Sequence, residues 1–152
     1  MSQTKTSVLR ACSSLCIVLS ALVFALQFVP FWSLGGQTAS VAAYFWLPLD
    51  YAALTNAMAG MIEGYTINSM LLLPALVQIA GILSVVLFAV NRKPSILTDL
   101  CSLLCALGWA FCLFNPVFRL GNLWGVHLMI ALLLLLVSIG SLVYRIRETV
   151  HS

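Results

Sequence analysis

Residues 123–144 read LWGVHLMIALLLLLVSIGSLVY, a long run without a single Asp, Glu, Lys or Arg. An α-helix needs about 20 apolar residues to cross the roughly 30 Å hydrocarbon core of a bilayer. The run therefore predicts a membrane-spanning helix, and Arg145 and Arg147 directly follow it. This stretch decides the fold class, because a helix of this composition has lipid as its solvent.

Three further apolar runs are long enough to cross a membrane, and Asp99 is the one charged residue within them. They cover about residues 11–31, 69–90 and 96–114, and the last stops at Asn115-Pro116, which cannot continue a helix. The whole chain of 152 residues is 62% hydrophobic and 7% charged, whereas soluble domains carry about 25% charged residues. The sequence therefore predicts an all-α polytopic membrane protein, a four-transmembrane-helix up-down bundle that forms one domain over residues 1–152.

The positive charges give the predicted orientation. Every Lys and Arg except Arg119 falls on one side of the predicted membrane: Lys5, Arg10, Arg92, Lys93, Arg145 and Arg147. Cytoplasmic loops carry such an excess, so both termini are predicted to be cytoplasmic. No removable targeting segment or retention signal is evident, which makes a multi-pass protein of the plasma (inner) membrane the expectation. The charges lie at helix ends and form no basic patch, so we expect no nucleic-acid partner.

The outer loop of residues 32–68 contains no Lys or Arg and is long for a connection. Asp50 is a suitable N-cap, and apolar residues such as Leu54, Met58 and Met61 follow at helical spacing. The sequence predicts a short interfacial helix over about residues 50–63. The alternative is that this helix packs across the bundle as a lid.

Two cysteine pairs lie near the same predicted end of two spans: Cys12 with Cys16, and Cys101 with Cys105. Their i,i+4 spacing puts both sulfurs of a pair on one helix face, so four thiolates could bind zinc or an iron–sulfur cluster. The spacing lacks the C-x-x-C turn of zinc sites, however. We therefore interpret these cysteines as small residues that let membrane helices approach closely, and we expect no metal and no cofactor.

His127 is the one histidine within a predicted span. It could ligate haem, transfer a proton or contact a quinone. The favoured interpretation is a single hydrogen bond to a neighbouring helix or to interfacial water, because shallow polar residues cost less than polar residues at the midplane.

The layout of four spans, cytoplasmic ends and a long first outer loop with Trp32 after span one is similar to that of the claudin-type tetraspan proteins. That loop has no cysteine pair and no glycine-leucine-tryptophan motif. Architecture alone does not carry function, so no function or residue role is carried over from this similarity.

Motifs of enzymes are missing: the sequence has no H-E-x-x-H, no phosphate-binding loop and no G-x-S-x-G. The leading hypothesis is a non-enzymatic accessory or scaffold subunit that binds lipids and other membrane proteins, or further copies of itself. Candidate contact residues, for a partner or a solute, are Trp32, Trp46, Tyr51, Gln78 and Arg119.

Two alternatives remain open. The first is a homo-oligomeric channel or transporter for a small or hydrophobic solute, with the pore between subunits; Gln78 inside span two supports it. The second is a haem, quinone or metal redox protein built on His127 and the cysteines.

Overall fold

The computed structural model describes residues 2–34, 37–41, 72–91, 95–114 and 116–150. Helices dominate these residues, and one short antiparallel hairpin interrupts them. In chain order the elements are α1 (Ser2–Leu26), β1 (Pro30–Leu34), β2 (Gln37–Ser40), α2 (Leu72–Asn91), α3 (Ile96–Phe114), α4 (Pro116–Arg119) and α5 (Trp124–Val150).

The four long helices pack together, with α3 in contact with α1, α2 and α5. Helix α1 also packs against α2 and α5. Three segments are long and apolar enough to cross a membrane: Ser7–Leu26, Ile96–Phe114 and Trp124–Arg147. In α2 the apolar segment, Leu76–Asn91, is shorter. The structure thus confirms the predicted helical membrane protein, with three helices of spanning length.

The buried faces of α1 and α5 follow alternating steps of three and four residues. Their members are Ser13, Cys16, Ser20 and Val23 on α1, and His127, Ala131, Leu134, Ser138 and Ser141 on α5. A seam with this spacing is typical of left-handed packing between long helices. Serine is frequent in these seams because small residues allow membrane helices to approach closely.

Helix α3 has the bounds that the sequence predicts. At its start the Thr98 amide donates to Ser95 Oγ over 3.2 Å, and the Ser95 amide donates to Thr98 Oγ1 over 2.9 Å. This reciprocal arrangement provides partners for amides that the first helical turn leaves without one. Helix α3 ends at Phe114, before Asn115-Pro116.

Helix α1 ends earlier than predicted, at Leu26 instead of residue 31. The amides of Gln27, Phe28 and Val29 bond to carbonyls three residues back, which tightens the chain into turns. Pro30 then begins β1. Apolar residues after Leu26 made the span look longer than it is, although they belong to the turn and the strand.

The hairpin of β1 and β2 is a feature that the sequence analysis did not predict. The strands pair in antiparallel fashion, with Trp32 opposite Ala39 and Leu34 opposite Gln37, and the register shifts between Pro30 and Trp32. The hairpin occupies the first part of the predicted outer loop of residues 32–68. The predicted helix over residues 50–63 lies outside the described residues.

Helix α5 continues beyond the predicted end of span four, through Arg145 and Arg147 to Val150. At about 1.5 Å per residue it is longer than the roughly 30 Å hydrocarbon core needs. The extra turns carry Arg145 along the side of the bundle, where it meets α1 and α3.

Glycines bring α2 and α3 close together. A Cβ atom added at Gly108 would come within 2.7 Å of Val77 Cγ2, which is too close for the buried, β-branched Val77 to accommodate easily. At Gly81 the nearest atoms, Cys105 Sγ and the Ser20 carbonyl oxygen, would both lie 3.5 Å away, an ordinary contact. Gly108 is therefore the tightest described point between these two helices.

Candidate functional site

One end of the bundle holds a buried ion pair. An Arg145 Nη atom lies 3.0 Å from Asp99 Oδ2, and Arg145 Nε donates to the same oxygen over 3.0 Å. Ser141 Oγ donates to Oδ2 over 2.9 Å and Ser13 Oγ to Oδ1 over 3.2 Å. We call Ser13, Asp99, Ser141 and Arg145 the ion-pair cluster and this end of the molecule the ion-pair end.

The ion-pair cluster joins three helices, because Ser13 lies on α1, Asp99 on α3, and Ser141 and Arg145 on α5. The Asp99 side chain is 1% exposed and that of Arg145 is 16% exposed. A charge this deeply buried is costly unless it is paired and hydrogen-bonded, and both conditions are met here. From the sequence, Arg145 is one of the charges that set the orientation; the structure adds its direct pairing with Asp99, which lies in the first turn of α3.

A second group, the hydroxyl cluster, consists of Ser20, Ser84 and Ser102 from α1, α2 and α3. Ser20 Oγ donates to Ser102 Oγ over 3.1 Å, and the hydroxyls of Ser84 and Ser102 are 2.8 Å apart. Hydroxyls pair with one another here because lipid offers them no partner. The buried polar groups of this part of the bundle therefore hold helices together.

The cysteines behave as small packing residues. All five are free; Cys16, Cys105 and Cys112 are buried, whereas Cys12 and Cys101 are partly exposed. Cys16 Sγ lies 3.6 Å from Ser138 Oγ. Across the described part of the chain, no three His, Cys, Asp or Glu side chains gather in a way that could hold a metal ion. Cys16 and Cys105 lie in the buried core between the helices, and their role as small seam residues stays a prediction.

The opposite end of the molecule, which we call the hairpin end, is filled by an aromatic cluster of Phe31, Trp32, Trp109, Phe118 and His127. The Phe31 ring centroid lies 4.9 Å from those of Trp32 and His127, and the Trp109 centroid lies 5.5 Å from that of His127. The Asn122 amide also donates to the Phe31 carbonyl over 2.8 Å. These contacts, with those of Phe31 and Trp32 to Phe118, fix the hairpin to α4, to α5 and to the turn between them.

His127 is buried against two rings of this aromatic cluster, those of Phe31 and Trp109. Its side chain is buried, and neither ring nitrogen has a hydrogen-bond partner among the described residues. The sequence predicted one hydrogen bond, to a neighbouring helix or to interfacial water; the described residues provide no helix partner, and the bond to water stays a prediction. In the described structure His127 belongs to no group of three or more His, Cys, Asp or Glu side chains that could hold a metal ion.

The candidate contact residues are placed very differently. Trp32 and Gln78 are buried inside the chain, whereas Arg119 is exposed at the end of α4. Trp46 and Tyr51 lie outside the described residues. Of the five candidates, Arg119 is thus the one that the structure places on the molecular surface.

Helix α5 carries a shallow groove on its exposed face. The groove has a volume of about 340 Å³ and is lined by Met129, Ile130, Leu132, Leu133 and Leu136. Gly125 and Gly140 lie on the same helix, one beyond each end of the groove. A Cβ atom added at either glycine would meet no atom within 4 Å. Backbone is therefore open to the surroundings at both ends of an apolar groove.

The sequence contains signals for the ion-pair cluster and the hydroxyl cluster, neither of which was predicted. Ser13, Ser20 and Gln27 recur every seventh residue, the period of a helix seam that faces one partner. Ser138, Ser141 and Arg145 share a face of α5 by the same spacing rule. Polar residues at core spacing in an apolar helix indicate buried polar groups, and those of Ser13 and Ser20 form hydrogen bonds.

Comparisons with protein-family models, with curated proteins and with solved structures find no match for this chain. The class of protein follows from the fold itself. The chain is a helical membrane protein whose helices are joined by a buried ion pair at one end and by an aromatic cluster at the other.

Proposed function

We propose that this protein is a non-enzymatic accessory or scaffold subunit, and that the exposed face of α5 binds a transmembrane helix of another membrane protein. The observation that carries the proposal is the groove between Gly125 and Gly140. Membrane helices associate through close packing and not through hydrophobic burial, because lipid tails are as apolar as leucine. A groove with open glycines at both ends offers such packing.

The same proposal includes the topology. We propose four membrane spans, with α2 as the span that is shorter in the described residues, and with the ion-pair end in the cytoplasm of the plasma (inner) membrane. Arg145 and Arg147 follow the apolar part of α5 at this end, and Arg10 lies near it on α1. Cytoplasmic ends of membrane helices are enriched in such residues, which supports this orientation.

The packing of the core favours a scaffold over a permanently open pore through the chain. Ala106, Trp109, Ala131 and Leu134 are each 0% exposed, so the described core is closed along much of its length. Gln78, the residue that suggested a pore between subunits, is buried next to the α2–α3 contact at Val77 and Gly108. Because Gln78 is buried within one chain, it does not lie on a surface that could line a pore between subunits.

Substitution Gly140→Leu tests the proposal without disturbing the fold. The added side chain enters open space, and leucine is a better helix former than glycine by roughly 1 kcal/mol, so the thermal midpoint should not fall. We expect purification in a mild detergent to recover a stoichiometric partner with the native chain. Recovery with Gly140→Leu should drop by about tenfold, as a loss of roughly 1.4 kcal/mol of binding free energy implies.

Leu104→Phe is the matched control, because Leu104 is exposed on α3, away from the groove. It should recover the partner as well as the native chain does. The proposal is wrong if the native chain purifies as a homo-oligomer without any partner, a result that would favour the channel or transporter. Equal recovery with Gly140→Leu would exclude the α5 face as the binding surface.

A further inference from the structure

Four buried side chains near the hairpin end carry polar atoms without hydrogen-bond partners. Gln27, Gln78, Trp109 and His127 are each between 0% and 4% exposed. Within the described structure, no partner meets Gln27 Nε2 and Oε1, Gln78 Nε2, Trp109 Nε1, or His127 Nδ1 and Nε2. Native proteins leave few buried polar groups in this condition, so a group of four calls for an explanation.

The packing of α1 against α5 places Gln27 level with His127. These helices run antiparallel, with Ser13 opposite Ser141 and Cys16 opposite Ser138. In this antiparallel register, a residue later in α1 lies opposite a residue that is correspondingly earlier in α5. The same register brings Gln27, directly after α1, opposite His127.

The packing of α2 against α3 places Gln78 level with Trp109. Ser84 meets Ser102, and Gly81 lies opposite Cys105. Continuing towards the hairpin end, Val77 lies against Gly108, so Gln78 and Trp109 lie within one helical turn of the same level. Because the rings of Trp109 and His127 are in contact, the two pairs form one layer across the bundle. We call these four residues the unpaired layer.

The two halves of the bundle therefore differ in how their polar groups are satisfied. At the ion-pair end Asp99, Ser13, Ser141 and Arg145 bond to one another, and the hydroxyl cluster next to them is also paired. In the unpaired layer the polar groups have no hydrogen-bond partner among the described residues, and burying them without one costs free energy in the closed arrangement. Opening this half would give all four side chains hydrogen-bond partners.

We propose that the hairpin half of the bundle opens around the unpaired layer and admits water and small neutral solutes whose oxygen atoms accept hydrogen bonds. The unpaired atoms define this chemistry. Four of the six unpaired atoms donate: the amide nitrogens of both glutamines, the Trp109 indole nitrogen and one nitrogen of a neutral His127 ring; Gln27 Oε1 and the other His127 nitrogen accept. None of the four residues is an acid, a lysine or an arginine, which favours a neutral solute. This inference goes beyond partner binding and does not depend on it.

N-ethylmaleimide is a suitable probe because it is small and neutral and has two carbonyl acceptors. Its alkene carbon forms a bond with a cysteine sulfur, and the thiol proton ends on the neighbouring carbon. Two native cysteines with similar burial compare the halves: Cys112, one turn beyond Trp109, and Cys16, beside Ser138. In lipid vesicles, we expect Cys112 to be modified at least about tenfold faster than Cys16. Cys112 becomes accessible when the less stable hairpin half opens, whereas Cys16 lies in the half with the ion-pair cluster. Equal rates for the two cysteines would overturn the proposal.

Gln27→Met removes two unpaired atoms while keeping the length of the side chain. We expect a higher thermal midpoint and a rate of Cys112 modification about tenfold lower, corresponding to roughly 1.4 kcal/mol. Ser20→Ala on the same seam is the matched control, because Ser20 is hydrogen-bonded to Ser102, and it should lower the midpoint without slowing Cys112. A lower midpoint for Gln27→Met would show that Gln27 has a stabilising partner and would overturn the proposal. The rate comparison in the native chain decides the question even if a variant does not fold.

Discussion

Asp99→Ala is expected to lower the free energy of unfolding by about 3–5 kcal/mol, the typical cost of breaking a buried ion pair by removing one partner. The substitution leaves Arg145, 16% exposed, without the carboxylate that it contacts through Nε and an Nη atom. Ser13 and Ser141 lose their acceptor in the same step. Thermal unfolding in a mild detergent or in bicelles, followed by the loss of helical signal, measures the effect.

Two variants test whether the ion pair itself is responsible. Arg147→Met removes an exposed charge two residues after Arg145 and should change the stability by less than about 0.5 kcal/mol. The double variant Asp99→Leu with Arg145→Met removes both charges at once and should recover most of the lost stability, because no unpaired charge remains. Native stability in the Asp99→Ala variant would contradict the ion-pair cluster as described.

Phe31→Ala is expected to lower the free energy of unfolding by about 3–5 kcal/mol, as truncation of a fully buried aromatic side chain does. The Phe31 ring is 0% exposed and contacts Trp32, Phe118 and His127. A Cβ atom at Gly121 would overlap this ring, which shows how closely the chain surrounds it. The same unfolding measurement applies, and the hairpin should also become susceptible to added protease.

The matched control is Phe111→Ala on α3, since the Phe111 side chain is 71% exposed on the outer surface of the bundle. Its truncation leaves no cavity and should cost less than about 1 kcal/mol. If Phe31→Ala and Phe111→Ala had the same effect, the hairpin would not be held to the helices through Phe31.

Much of the helical architecture could be predicted from local signals. The bounds of α3 follow from the apolar run, from Ser95 as a cap at its start, and from Asn115-Pro116 at its end. Each of these signals acts within one turn of the helix terminus, so no tertiary information is needed. The end of α1 was harder, because the residues from Gln27 to Phe31 are mostly apolar and do not distinguish a helix from a turn and a strand.

The hairpin was predictable in part. The sequence has Gly35-Gly36 between the two strands, and a glycine pair between apolar runs is a known hairpin signal. The burial of Trp32 and Phe31 was not predictable from this signal. It depends on Phe118 and His127, which are distant in the sequence and approach only when α3 and α5 pack.

The ion-pair cluster shows the limit of sequence reasoning most clearly. Asp99 and Arg145 each have an acceptable local explanation, as a helix-dipole partner and as a flanking positive charge. Their pairing depends on the antiparallel register of α3 and α5, which local patterns do not specify. The unpaired layer is still harder to predict from the sequence, because a missing hydrogen bond can be recognised only when the positions of all neighbouring residues are known.

The most direct test of the proposed function is photo-crosslinking from Leu136 in the native membrane. Leu136 lines the groove on α5 and is 69% exposed; Leu104 on α3 is 62% exposed and serves as the control. Both lie equally far along their helices from the contact between Asp99 and Ser141. A photoreactive side chain at Leu136 should crosslink to one discrete membrane protein, whereas the same group at Leu104 should crosslink to lipid. Lipid adducts alone at both positions would contradict the account.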